Sequence, residues 1–145
     1  MTSLVLDLAP EPASAPTARA AVRDLLAIAW AGADVKDLSR RIDDAVLVTS
    51  ELVSNAIRHG SGRVALTAVA RIEALGPVLT LECSDDGEWS EPPESLLSKP
   101  FDPIVHTELN ALDDGGRGLQ IVRRLCTQLT IEQKFPGSRI SARLG

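Results

Sequence analysis

Two hydrophobic rhythms run along this chain, and each predicts a different kind of element. At helical spacing, Ala21, Val22, Leu25, Leu26, Ile28 and Ala29 recur between Ala18 and about Ala31. Gly32 ends the run, so the pattern predicts an amphipathic helix with Thr17 as its N-cap. A second helix is predicted from Asp37 or Ser39 to His59, because Ile42, Ala45, Val46, Thr49, Leu52, Val53 and Ala56 make one stripe at intervals of three and four. Gly60 then supplies a residue suited to a left-handed C-cap. A third helix, Gly118 to Leu125, turns Leu119, Ile121, Val122 and Leu125 inward.

The other rhythm has period two. Ser3 to Leu8 reads as an edge strand, followed by a proline-rich connector from Pro10 to Pro16. Arg63 to Arg71 and Val78 to Ser84 both alternate and are separated by Gly76-Pro77, which predicts antiparallel neighbours joined by a long hairpin. Thr127 to Phe135 and Arg139 to Leu144 read as a closing hairpin around Pro136-Gly137. Between Asp86 and Gly116 neither rhythm holds: Pro92-Pro93, Pro100, Pro103, Asp113-Asp114 and Gly115-Gly116 break the chain. A connection of about thirty residues is uncommon in a compact domain unless it is a lid or a binding loop.

Composition narrows the picture only by exclusion. At 145 residues the chain can bury one substantial core, so one domain and one site are expected over 1–145. The net charge of -5 and pI near 5.0 argue against a phosphate backbone as partner, so no nucleic acid is expected. No apolar run has the length of a spanning helix, and Met1 to Pro10 lacks the basic start and apolar stretch of a signal peptide, so the expected location is the cytoplasm, with no membrane partner. Cys83 and Cys126 lie in apolar segments without paired spacing and read as core thiols. His59 and His106 are too isolated to build a metal site by themselves.

Three short segments interrupt the core patterns with groups able to do chemistry. Glu51, Asn55 and His59 are spaced i, i+4, i+8 and so share one face of the second helix, beside its apolar stripe. That face either looks into a pocket, where Glu51 can take a proton and Asn55 offers a carbonyl oxygen suited to Mg²⁺, or is simply solvated. Asp85-Asp86-Gly87 ends an apolar strand: either a turn, or a carboxylate for an exocyclic amine with a glycine that lets a ligand approach. Gly115-Gly116-Arg117-Gly118 precedes a helix, which gives free N–H groups, a favourable dipole and a guanidinium for phosphate.

The order of the three is more specific than any one of them. ELVSNAIRHG (Glu51 to Gly60) resembles the N box, Asp85-Asp86-Gly87 the first glycine box, and GRGLQIV (Gly116 to Val122) the second glycine box of the GHKL, or Bergerat-fold, ATPase superfamily. Of its branches, the short bacterial anti-sigma-factor serine/threonine kinases are the most similar in length and layout. The resemblance implies an α/β two-layer sandwich, with helices on one face of a mixed, mainly antiparallel sheet and an ATP lid at about 88–115. It implies Asn55 as Mg²⁺ ligand, Asp85 for the adenine amino group, Gly87 for close approach of the base, Gly116 and Gly118, with Leu119 following, around the phosphates, and Glu51 as general base. Arg117 is a further candidate for a phosphate contact, and Arg58 and His59 stand at the helix end. The implied partners are an anti-sigma-factor antagonist, a sigma factor and a second copy of the chain in a homodimer.

This sequence departs from the family pattern in one place. The first box usually reads D-x-G-x-G, whereas Glu88-Trp89 follows Gly87 here. That departure keeps open an alternative function, a catalytically weak nucleotide-binding module that sequesters a protein partner. No histidine-kinase dimerisation helix or phospho-acceptor segment stands before the domain, so autophosphorylating two-component signalling is not expected.

Overall fold

A computed structural model describes residues 1–60, 62–87, 118–133 and 137–145. In chain order the described elements are β1 (Thr2–Leu8), α1 (Ser14–Ala29), α2 (Leu38–His59), β2 (Val64–Glu73), β3 (Gly76–Asp85), α3 (Gly118–Leu125), β4 (Gln128–Gln133) and β5 (Ser138–Leu144). The expected lid at about 88–115, with Trp89, lies outside the described residues, as do Gly116 and Arg117.

The five strands form one sheet in the order β1-β2-β3-β5-β4. Every pairing among them is antiparallel. Period-two patterning decides which side is covered: Val64, Leu66, Ala68 and Ala70 of β2, Leu79, Leu81 and Cys83 of β3, and Ile140, Ala142 and Leu144 of β5 are all buried. The alternate positions form the outer face, where Glu73 bonds Arg71 and Arg143, each at 2.7 Å, and Arg139 reaches Glu82 at 3.1 Å. Such exposed pairs add little stability, but they keep that face polar.

The helices cover the other side. α1 packs on β1 and β2; α2 packs on β2 and β3, between α1 and α3. The expected stripe of α2 is buried at Ala45, Val46, Thr49, Leu52, Val53 and Ala56; Val48 and Asn55 join it, and Ile42 packs at its margin. Asp37 stands at the N-cap, yet its carboxylate takes the Arg40 and Arg41 guanidiniums instead of a backbone N–H. Those two arginines, Arg40 first, hold its carboxyl below the usual range.

Four local expectations are corrected. α1 begins at Ser14, not after Thr17, because Pro16 falls within the first turn, where its missing N–H costs no helical bond. Ile28 points outward at 72% exposure, while Trp30 beyond the helix is buried. The β2–β3 connection is not long: Glu73 pairs with Gly76, leaving only Ala74 and Leu75 between, and Gly76 at φ +124 makes the tight turn. Gly60 is not left-handed but extended, at φ -82 and ψ 173.

No described helix is long and apolar enough to cross a membrane. Leu52, fully buried where α2 meets the sheet, is expected to lose about 2–5 kcal/mol of stability on replacement by Ala; urea unfolding followed by circular dichroism measures it.

Candidate functional site

Six polar residues are buried among those described: Ser14, Thr49, Asn55, Asp85, Gln120 and Ser138. Two have local explanations. The Ser14 hydroxyl donates to the Ala9 carbonyl at 2.7 Å, and the Thr49 hydroxyl donates to the Ala45 carbonyl one turn back at 2.8 Å. The other four gather at one end of the domain: Asn55 near the C-terminus of α2, Asp85 at the end of β3, Gln120 in the first turn of α3, and Ser138 directly opposite Asp85 in the β3–β5 register. Buried polar groups need partners, and their concentration at one end makes it the candidate site.

α2 supplies the deepest group. Asn55 is 1% exposed, and its amide Nδ2 has no hydrogen-bond partner among the described residues. One turn earlier, Glu51 is half-buried on the same face, and both meet the start of α3. A Cβ placed on Gly118 would strike Oε2 of Glu51 and lie 2.9 Å from Nδ2 of Asn55. Glycine at 118 lets both side chains approach closely as they stand, and the N-terminus of α3, with its favourable dipole for anions, opens beside them. His59 lies half-buried one further turn along, at the last residue of the helix.

The second part of the site is the turn after β3. Asp85 is 8% exposed, and its Oδ1 accepts the Gly87 N–H at 3.2 Å, which bends the chain sharply at the strand end. Gly60 explains how the two parts are joined: a Cβ there would come within 2.9 Å of the Asp85 carboxylate. An open cavity of about 300 Å³ borders Asp85 and Asp86 from the rim of the sheet, walled by Asp7, Arg63, Val64, Ala65 and Ser84. Beneath the turn, burial first and the Asp85 charge second push the Cys83 thiol up to about 12, so it stays protonated and takes no part as a nucleophile. Burial does the same to Cys126.

Of the residues singled out by sequence, Glu51, Asn55 and Gly118 thus come together in one cluster. Asp85 and Gly87 form the adjoining turn, which Gly60 joins to the end of α2 beside His59. Leu119 is fully buried in the core, which leaves only its backbone to a ligand. Arg58 is exposed and lines a separate groove between α1 and α2 with Pro12, Ala15, Ser54 and Ile57. Ser138 and Gln120 were not found from sequence; they carry only the weak signal of a polar residue at an inward position. No group of three or more His, Cys, Asp or Glu among the described residues could hold a metal ion, so a cation here would depend on a neutral donor such as Asn55 together with its ligand.

Comparison with known proteins agrees with this geometry. A family model described as a histidine kinase-like ATPase domain matches residues 8–144. The fold is similar to the crystal structure of the RsbU and RsbW domains of Rv1364c from Mycobacterium tuberculosis, with a TM-score of 0.65 and 22% identity. That match covers 99% of this chain but 32% of the other, so the chain spans about a third of that longer protein. No curated protein matches the sequence.

A buried amide nitrogen with no partner is a stability cost that a ligand site accepts. Asn55→Ala, which removes the orphan donor without adding bulk, is expected to cost less than about 1 kcal/mol of ligand-free stability, below the usual cost of truncating a fully buried side chain; the urea midpoint checks it, and a loss of about 2 kcal/mol or more would show that the amide is already satisfied.

Proposed function

Because the chain belongs to the histidine kinase-like ATPase family, we propose that it is a cytoplasmic, Mg-ATP-dependent protein serine/threonine kinase that acts as an anti-sigma factor in partner switching. The observation that carries this reading is the buried Asn55 amide, with an unpartnered polar atom, set against Gly118 and Glu51. That atom is an N–H donor and suits a phosphate oxygen at a glycine-opened helix N-terminus, while the carbonyl oxygen of the same amide is a neutral ligand for a cation carried by the phosphates.

In this reading the Asp85 carboxylate accepts the adenine amino group, and Gly87 lets the base lie against the backbone. Gly118, with Gly116 and Arg117 before it, frames the phosphates. Mg²⁺, held by the Asn55 carbonyl oxygen, would neutralise the phosphate charge when bound. Glu51 sits beside Gly118, where a partner's serine or threonine hydroxyl would meet the γ-phosphorus. The hydroxyl oxygen forms the new P–O bond, its proton passes to the Glu51 carboxylate, and the bond to the β,γ-bridging oxygen breaks to release ADP. Little covalent machinery is needed, since phosphoryl transfer depends mainly on positioning and charge stabilisation. By resemblance, the phosphorylated partner is an anti-sigma-factor antagonist and the sequestered one a sigma factor, with a homodimer as the assembly to look for.

Glu88-Trp89 in place of the usual glycine favours a second reading, a module that binds nucleotide and sequesters a partner with little transfer. Two variants separate these. Asp85→Asn, measured by titration calorimetry with Mg-ATP, is expected to weaken binding about tenfold to a hundredfold through loss of one charged hydrogen bond; unchanged affinity would remove Asp85 from the adenine site. Glu51→Ala is expected to keep ATP affinity within about threefold and to lower phosphate transfer to a cognate antagonist by about a hundredfold or more. Absence of transfer by the wild-type chain would leave the binding module.

A further inference from the structure

Three glycines close on the Asp85–Gly87 turn from three separate segments. Gly60 ends α2, Gly62 follows two residues later, and Gly137 leads into β5. Gly60 is extended, and Gly62 is not among the positive-φ glycines, so neither is glycine for the sake of its backbone. What both positions lack is room. A Cβ on Gly60 would sit 2.6 Å from the Ala56 carbonyl oxygen and 2.9 Å from both the carboxylate carbon and Oδ1 of Asp85. One on Gly62 would overlap the Asp86 carboxylate and come within 3.1 Å of the Gly87 nitrogen. At Gly137, φ is +94, and a Cβ would strike the Asp85 carbonyl and lie 3.0 Å from the Asp86 Cα. The turn is thus clasped on its carboxylate, on its backbone carbonyl and on the N–H that the carboxylate accepts.

A carboxylate's terminal torsion is broad and poorly fixed by rotamer preference alone. Selecting one base over another requires the opposite, an acceptor held in one place. We infer that Gly60, Gly62 and Gly137 are positioning residues that fix the Asp85 carboxylate, and that through it they set the preference for a purine with a 6-amino group over one with a 6-keto group. This rests on Asp85 being the base contact, as proposed above. The glycines touch no ligand; they act by leaving no gap into which the acidic turn can swing.

The test is binding of Mg-ATP and Mg-ITP to the full chain by titration calorimetry. ITP keeps the triphosphate but presents an oxygen where ATP presents an amine. The wild type is expected to prefer ATP by about tenfold or more, one hydrogen bond to a charged acceptor. In Gly60→Ala the preference falls to within about threefold, through weaker ATP binding with ITP binding little changed. Gly32→Ala, whose Cβ would meet nothing within 4 Å, keeps the wild-type ratio. Gly62→Ala displaces the exposed Asp86 side chain first and is the gentlest of the three, so it carries the decision should Gly60→Ala or Gly137→Ala not fold by circular dichroism. Folded variants that weaken ATP and ITP equally would make the glycines structural and overturn the inference. A wild type that binds ATP without preferring it to ITP would instead overturn the assignment of Asp85.

Discussion

The packing of α2 across β2 and β3 is the contact on which the rest of this structure depends. Leu52, Val53 and Ala56 are buried there, with Val48 and Thr49 one turn before them. Because a helix repeats every 3.6 residues, fixing that stripe also fixes the azimuth of Glu51 and Asn55, which lie on its flank. The Cys83 thiol reaches the Leu52 carbonyl at 3.7 Å, so the strand ending in Asp85 is seated against the same stretch of helix. One apolar interface therefore sets two polar groups from distant parts of the chain at fixed places, and neither could be moved without repacking the core.

From that seat the arrangement of the site follows by close approach. α3 comes close to α2 where Gly118 presents no side chain to Glu51 and Asn55, and the end of β3 comes close to the end of α2 where Gly60 presents none to Asp85. The antiparallel register then places Ser138 opposite Asp85 and carries Gly137 over its carbonyl. Polar groups collect at this end of the domain, while the opposite end of α2 closes with an ordinary surface pairing of Asp37 with Arg40 and Arg41. Of these groups, the Asn55 amide nitrogen is buried without a partner among the described residues, a stability cost of the kind that persists where binding restores the bond.

Much of this was legible in the sequence because it is periodic or local. The alternation of β2 and β3 marked them as antiparallel strands, and the stripe of α2 marked its packing side. The N-terminus of α1 was not legible, since Pro16 reads as a connector unless one knows that the first turn tolerates it. Gly76-Pro77 read as the turn itself, whereas the chain turns at Ala74-Leu75 and Gly76 already pairs in β3. Pro77 is tolerated in that strand because pairing with β5 starts only at Leu79. Glu51, Asn55, Asp85 and Gly118 stood out as chemical residues at the ends of apolar segments. Gly60 and Gly137 were noticed only as a helix cap, the end of the N box and a hairpin turn, and Gly62 and Ser138 were not singled out, because the contact with the Asp85–Gly87 turn joins residues more than twenty positions apart. Local pattern cannot report a distance of that kind.

The same geometry bears on how far apart a kinase and a binding module stand. Phosphoryl transfer asks the protein for a positioned acceptor, neutralised phosphates and one group to receive a proton. The base contact at Asp85 and the cation donor at Asn55 would serve binding and transfer alike, since both act on the bound nucleotide whether or not it reacts. In the proposed reading Glu51 would serve transfer alone, and it lies against Gly118, on the flank of the same helix that carries Asn55. A half-buried carboxylate beside the proposed phosphate site would repel the phosphates, which would be a cost for a protein that merely binds nucleotide. Retaining an acidic side chain at that point is therefore easier to understand if the charge is used to take a proton than if the nucleotide is only a structural ligand.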